Sequence, residues 1–228
     1  MSEFMFTEAF EAMDPEARES FYRTVFMNDP SPYAAEVRLK YYKSVLKHMG
    51  ENVSIGRNVK IINPQWVSIG DGVYIADDVT IIARGEGGVT IGEKTSLQHR
   101  VYLDSERANT GYITIGDHVY IGTGTTLFGH KGLEIGDHTL FAQNITLTPY
   151  SHKFPDPEQN IISQGGNCKK VVIGRDVYVG MGCNIMYSGD IGDGSVIGCG
   201  STVVKPIPAY SVAVGTPAKV IKKREKTE

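Results

Sequence analysis

The sequence predicts an all-β core wound as a parallel β-helix of about six coils, with a helical segment before it and a short helix after it. Two observations predict the core. Apolar residues keep a six-residue beat: Ile55 and Ile61; Ile69, Ile75 and Ile81; Ile91, Leu97 and Leu103; Ile115, Ile121 and Leu127; Ile135, Phe141 and Leu147; then Ile173, Val179, Ile185, Ile191, Ile197 and Val203. Glycine follows the beat residue at half of these positions, including Gly56, Gly92, Gly116, Gly136, Gly174 and Gly192, far above what composition supplies. A third observation predicts where function sits. The beat stops inside "NITLTPYSHKFPDPEQNIISQGGNCKKVVIG", Asn144 to Gly174, a stretch with a histidine, three prolines and little that packs.

A helix repeats apolar residues at steps of three and four, which six matches badly. A short strand plus a tight corner fits six. The beat residue points inward, and glycine after it is expected to permit the corner conformation. A small or β-branched residue four after the beat also points inward: Val59, Val79, Thr95, Val101, Val119, Thr125, Thr139, Val177, Ser195 and Ser201. Three such sides close a triangular coil, and stacked coils pair as parallel strands ~4.8 Å apart. Eighteen-residue coils fit "IGDHVYIGTGTTLFGHKG" and "IGRDVYVGMGCNIMYSGD".

The segment 1–50 reads as helical and covers the open edge of the first coil, whose backbone would otherwise be unpaired. Asp14-Pro15 and Ser31-Pro32 each read as an N-cap followed by proline at the first helical position. Phe21, Tyr22, Val25 and Phe26 share one helical face, as do Val37, Tyr41, Val45, Leu46 and Met49, and Gly50 reads as the stop. The coil domain is expected over 51–224, with loops at Pro64–Trp66, Arg84–Gly88, Asp104–Gly111, Gly129–Gly132 and, longest, 148–170. "PAKVIKKREKTE" reads as the short final helix, with 225–228 as a tail.

Bulk properties bound the function. A hydrophobic content of 41% with 21% charged residues suits a globular chain. A net charge of −3 gives no reason to expect nucleic acid or an anionic membrane as partner. No apolar run approaches the ~20 residues that span a bilayer. The acidic start "MSEFMFTEAFEAMD" lacks a basic-then-apolar leader. Cys168, Cys183 and Cys199 form an odd set without CxxC spacing. They read as reduced thiols, with a cytoplasmic location as the expectation.

Two stretches carry a family resemblance: "AQNITLTPYSHKF", with an Asn in the coil and a His eight residues on, and "VVIGRDVYVGMGCNIMYSGDIGDGSVIGCGSTVVKPIPAYSVAVGTPAKVIKK". Over about residues 53–224 the chain resembles the hexapeptide-repeat acyltransferases, and most the galactoside- and maltose-type sugar O-acetyltransferases and the xenobiotic acetyltransferases. The resemblance implies a left-handed helix, a homotrimer with sites shared between subunits, and acetyl-CoA as donor. It also implies a small acceptor such as a sugar, with no nucleic acid, no membrane insertion and no required metal.

The resemblance further makes His152 the general base. The chemistry suits that residue type, because imidazole titrates near neutral pH and can take a hydroxyl proton as the oxygen attacks a thioester. What orients its other nitrogen stays open between a backbone carbonyl, Asp156 and Glu158. Asn144 is implied near the acetyl group or acceptor, with backbone N–H groups completing the oxyanion stabilisation. Pro149, Pro155 and Pro157 are expected to stiffen the excursion and keep it from pairing as a strand.

By matched position the donor contacts are Tyr178, Met181, Cys199, Val204 and Lys205, with Lys219 and Lys222 near the nucleotide phosphates. Tyr178 stands where the family usually has Trp, Val204 where a polar residue is frequent, and the tail lysines where Arg is usual, which removes bidentate phosphate geometry. Tyr102, Tyr112, Tyr150 and Phe154, with the N-terminal helices and loop 104–111, are candidates for the acceptor wall. His99, His118, His130 and His138 read as structural or solvated. Two other functions share the fold: a γ-carbonic-anhydrase-like zinc enzyme, whose H-x-x-x-x-H pair is absent here, and a catalytically silent scaffold.

Overall fold

The computed structural model describes residues 10, 12–106 and 110–225. Both expected helix starts form. In α1 (Pro15–Val25) the Asp14 carboxylate accepts from the Glu16 and Ala17 N–H groups at 3.1 and 2.9 Å. In α2 (Pro32–Val45) the Ser31 hydroxyl accepts from Ala34 N–H at 3.2 Å. Each side chain thereby satisfies orphan donors of a first turn.

The second helix ends earlier than Gly50. Leu46 is already extended, and Met49, expected on the helical face, lies in the strand His48–Met49, which pairs in parallel with Ser68–Ile69. Met49 is therefore a beat residue six before Ile55, and Gly50 belongs to the coils rather than to a helix stop. The helices dock on this first coil. Tyr22 stacks on Tyr41 at 3.9 Å, and Tyr42 donates to the Val59 carbonyl at 2.7 Å. The buried Arg38 donates to the carbonyls of Phe26, Asp29 and Ile55 at 3.1, 2.8 and 3.4 Å. No helix among the described residues is long and apolar enough to cross a membrane.

Among the described residues the coil strands form three faces. Face one runs from His48–Met49 through Val67–Ile69, Val89–Ile91, Ile113–Ile115 and Leu133–Ile135 to Val171–Ile173. Face two starts at Ser54–Ile55 and ends on Ser211–Val214 and Lys219–Lys223. Face three starts at Lys60–Ile62 and ends at Thr202–Val203. The stack makes about seven turns rather than six, because the beat starts at Met49 and Ile207 opens a last partial coil by bridging to Ile191. Register advances 18 residues from Tyr178 to Val196 and 38 from Leu140 to Tyr178, the excess being the excursion over 148–170. Every beat residue from Ile55 to Val203 is buried, as is every residue four after it that was expected inside.

The glycines after the beat have a different reason from the expected one. None of Gly56, Gly92, Gly116, Gly136, Gly174 and Gly192 has positive φ. A Cβ on any of them would overlap the next coil, for example the Asp193 backbone at Gly174 and the Arg175 backbone at Gly136. The left-handed turn falls two residues later, at Asn58, Asp78, Lys94, His118, His138, Asn144 and Asp176, or at glycines such as Gly182 and Gly200.

Hydroxyls close the corners from inside. Thr95 Oγ1 donates to the Gly116 carbonyl (2.8 Å) and accepts from Val119 N–H (3.0 Å), and Thr139 serves Gly174 and Val177 at 2.9 and 3.3 Å. Buried backbone groups at the turns are thus paired with the coil beside them.

The expected final helix is a strand. Lys219–Lys223 runs antiparallel to Ser211–Val214, joined through a turn containing the cis Thr216–Pro217 peptide. The edge of Ser211–Val214 offers backbone partners that outweigh the helix propensity of Ala, Lys and Glu in this tail.

At the corner after face three, Arg84 holds the buried Asp104 through two bonds of 2.7 Å. The same carboxylate accepts from the Glu106 N–H (2.8 Å) and the Tyr102 hydroxyl (3.1 Å). Burial pushes this carboxyl up, but the Arg84 bonds, the Glu106 N–H and the Arg84 charge outweigh it, so it sits below the ordinary range.

Gly174→Ala should lower stability by about 1–3 kcal/mol through overpacking against the next coil, read as a fall in the denaturant midpoint. Arg84→Met should act through Asp104. A depressed carboxylate contributes stability that is complete above its unfolded value of about 3.9 and is lost as pH falls through the lower folded value. The variant should therefore show a smaller drop in thermal midpoint than the wild type on acidification from about pH 5 to about pH 3.

Candidate active site

The interruption of the beat is a β-hairpin, contrary to the expectation that its prolines prevent pairing. Tyr150–His152 pairs antiparallel with Gly166–Cys168, in the register Tyr150↔Cys168, Ser151↔Asn167 and His152↔Gly166. The prolines fall outside the paired residues, with Pro149 before the first strand and Pro155 and Pro157 beyond it, so no ladder donor is lost. A 3-10 turn, Ile161–Gln164, follows near the tip. Lys170 anchors the returning strand on face one by donating to Glu134 at 2.7 Å, as does the Tyr112 hydroxyl.

His152 is exposed on the outgoing strand, and its Nδ1 lies 3.3 Å from the Tyr150 hydroxyl. Neither acidic candidate orients it. Asp156 takes the Glu158 N–H and the Gln159 amide within the loop, at 3.0 and 2.7 Å. The Tyr150 ring stacks on His130 at 5.0 Å and 15°, and His130 packs edge-on against Phe128. Glu106 stands 3.9 Å from His130 Nε2. Sequence reasoning placed His130 among the structural histidines, and its position under Tyr150 is visible only in the fold.

Asn144 occupies an exposed left-handed corner with φ 56°. It precedes the face-three strand Thr146–Leu147, whereas His152 lies beyond the far end of that strand. Within one chain the two residues therefore sit on opposite edges of face three.

The donor candidates gather at the last coils. The Asn144 corner continues directly into those of Met181 and Cys199, because Gly182 N–H donates to the Gln143 carbonyl (2.9 Å) and Gly200 N–H to the Met181 carbonyl (2.8 Å). Met181 and Cys199 are exposed along this edge, and a Cβ at Gly182 or Gly200 would meet open space. Tyr178 points outward from face two, while Val204 and Lys205 lie past the far end of the Thr202–Val203 strand. A register shift between Val212 and Ala213 lets Lys219 pair with Val214 and Lys222 with Val212. Both lysines thus share one side of the final strand and both are exposed.

His118 and His138 stack at 5.0 Å on the corner between faces one and two. Cys168, Cys183 and Cys199 are free thiols. Among the described residues no three His, Cys, Asp or Glu side chains converge as a metal site. A cleft of about 470 Å³ beside α1 and α2 includes Arg23, Tyr41 and Ile62, and one of about 350 Å³ includes His138, Arg175 and Tyr210. Neither touches His152, Asn144 or a donor candidate.

No family model matches the chain. Curated relatives do, among them the following three. The probable acetyltransferase Rv3034c of Mycobacterium tuberculosis (strain ATCC 25618 / H37Rv) is 34% identical over 170 residues, covering 74% of this chain and 53% of that protein. The galactoside O-acetyltransferase of Escherichia coli (strain K12) is 35% identical over 135 residues, 58% of this chain and 63% of the enzyme. WbbJ of the same strain, assigned to O-acetyl transfer in lipopolysaccharide biosynthesis, is 31% identical over 147 residues, 61% of this chain and 74% of that protein. The chain thus spans about half to two thirds of the first two relatives. Among solved structures, AntD, an N-acyltransferase from Bacillus cereus in complex with dTDP and 3-hydroxybutyryl-CoA, superposes with a TM-score of 0.59 at 23% identity, covering 84% of this chain and 89% of AntD. That likeness is one of fold, the left-handed parallel β-helix. With the glycine-punctuated beat and the hairpin that interrupts it, these relatives place the chain in the hexapeptide-repeat acyltransferase family.

Proposed function

We propose that the protein transfers an acetyl group from acetyl-CoA to a hydroxyl, or an amine, of a sugar or related small molecule, with His152 as general base. The observation that carries this reading is the placement of His152. It is exposed on a hairpin that leaves the prism, its Nδ1 faces a tyrosine hydroxyl, and its Nε2 has no hydrogen-bond partner among the described residues. A nitrogen so disposed is available to an incoming acceptor.

In the proposed step Nε2 takes the acceptor's hydroxyl proton as the oxygen attacks the thioester carbonyl. The new C–O bond forms, the C–S bond breaks, and the proton passes from Nε2 to the departing thiolate, leaving ester and CoA thiol. Asn144 and corner N–H groups stabilise the oxyanion. Because Asn144 and His152 lie on opposite edges of face three, a site using both requires two chains, which supports the homotrimer with shared sites. Met181 and Cys199 line the edge that would take the pantetheine arm, and Lys219 and Lys222 face the phosphates. The acceptor class rests on the sugar-modifying relatives.

Replacing Lys219 and Lys222 together with Ala should raise the KM for acetyl-CoA a few-fold to about tenfold, since exposed ion contacts contribute ~0–1 kcal/mol each. Acceptor KM should hardly change. An unchanged donor KM would return both lysines to an ordinary solvated strand.

His152→Ala should lower kcat by ~10²–10⁴ while donor binding and assembly persist. The acid limb of the pH–rate profile should vanish in the variant, and a chelator should leave the wild-type rate unchanged. Near-wild-type turnover in thiol-release assays would remove His152 as the base, and loss of rate on chelation would favour a metal enzyme.

A further inference from the structure

The hairpin sets Tyr150 and His152 on the same side of one strand, because side chains alternate along it. The Tyr150 ring has two close neighbours. It stacks on the half-buried imidazole of His130. It also passes against Gly166, the residue paired with His152 across the hairpin. Gly166 does not have positive φ, so the backbone conformation there does not call for glycine. Glycine inside a strand weakens it. Space supplies the reason for it: a Cβ at Gly166 would overlap Cζ, Oη and Cε2 of Tyr150. The glycine is what admits the ring to the position from which its hydroxyl reaches His152.

We propose that Tyr150 is a positioning residue for His152, held by His130 and admitted by Gly166. The inference rests on the reading of His152 as general base. Its content is a proton assignment. If the phenol donated to Nδ1, the imidazole proton would sit on Nε2, and that nitrogen could not accept one. With Nδ1–H donating to the Tyr150 oxygen, Nε2 keeps its lone pair for the acceptor. The same bond favours the imidazolium that forms when Nε2 is protonated, since the phenol oxygen then faces a positively charged donor. Among the described residues, the titratable groups around His152 include Tyr150 on its own strand, Lys153 next along the chain, Cys168 on the facing strand, and His130 with Glu106 at the corner beneath. Glu106 lies against His130 rather than against His152.

The test compares steady-state kinetics of Tyr150→Phe, Gly166→Ala and His152→Ala, each with its pH–rate profile and thermal midpoint. Tyr150→Phe should lower kcat roughly tenfold, less than the ~10²–10⁴ expected on removing the base. Both KM values and the thermal midpoint should be nearly unchanged, and the acid limb of the profile should shift. In a His152→Ala background the same substitution should change nothing. Gly166→Ala should lower kcat in the wild type but by less than about twofold in a Tyr150→Ala background, where the Cβ no longer meets a ring. Wild-type kcat and pH profile in Tyr150→Phe, alongside an inactive His152→Ala, would overturn the positioning role and leave the base in place. A raised acceptor KM at unchanged kcat would overturn it in favour of a sugar contact. An active His152→Ala would instead overturn the reading on which this one rests.

Discussion

Successive coils lie one strand spacing apart, ~4.8 Å, and at the corners where glycine follows the beat the next coil fills the space where a side chain would stand. That close approach governs much of the rest. It demands glycine after the beat at Gly92, Gly116, Gly136 and Gly174, where a Cβ would strike the neighbouring coil. It brings the Thr95 and Thr139 hydroxyls within reach of both a carbonyl and an N–H of that coil, so the turns carry paired backbone groups into the core. It also moves the left-handed residue to a position that faces solvent, where Asn, Asp and His tolerate it.

A prism built this tightly fills its interior with apolar side chains and a few paired hydroxyls, and has little concavity along its faces. Catalytic groups must then sit on corners or on chain that leaves the stack. Both placements occur among the residues proposed for catalysis. Asn144 stands at a left-handed corner, and His152 on a hairpin that leaves by the opposite edge of the same face. The hairpin can leave because its two strands satisfy each other's backbone groups, and because the Lys170–Glu134 pair and its hydrogen bonds hold its base to the coils. An unpaired excursion of this length would have to find those partners in water.

The core was legible because its constraint is local and periodic: a beat, a glycine, a small residue. The reason given for the glycine was not legible, since close approach between coils is a contact between residues about twenty apart. The same limit explains the other differences. "PAKVIKK" contains good helix formers, and only the open edge of Ser211–Val214 makes it a strand. Met49 reads equally as a helix face or a beat residue until its pairing with Ile69 is known. In the candidate site, His152 and Asn144 were marked by a motif, whereas His130 and Glu106 carry no local signature. The positions of His130 and Gly166 beside Tyr150 arise from stacking across a corner and from register across a hairpin. Gly165-Gly166 in an otherwise irregular loop was the one available sign that a ring passes close to the backbone there.

The two ends of the solenoid solve the open-edge problem differently, and the difference bears on where function can sit. At the first coil the helices cover the edge with buried aromatic rings and with Arg38, whose charge meets only carbonyl dipoles in hydrogen bonds. At the last coils the cover is the antiparallel strand Lys219–Lys223, fully exposed, with a register shift that turns Lys219 and Lys222 to the same side. That end keeps cations in solvent beside corners whose glycines leave open space. Charge and room for a long anionic co-substrate are thus present together at the last coils. The position of the hairpin, opening between the fifth and sixth coils, sets the proposed base near the end where such a molecule would lie.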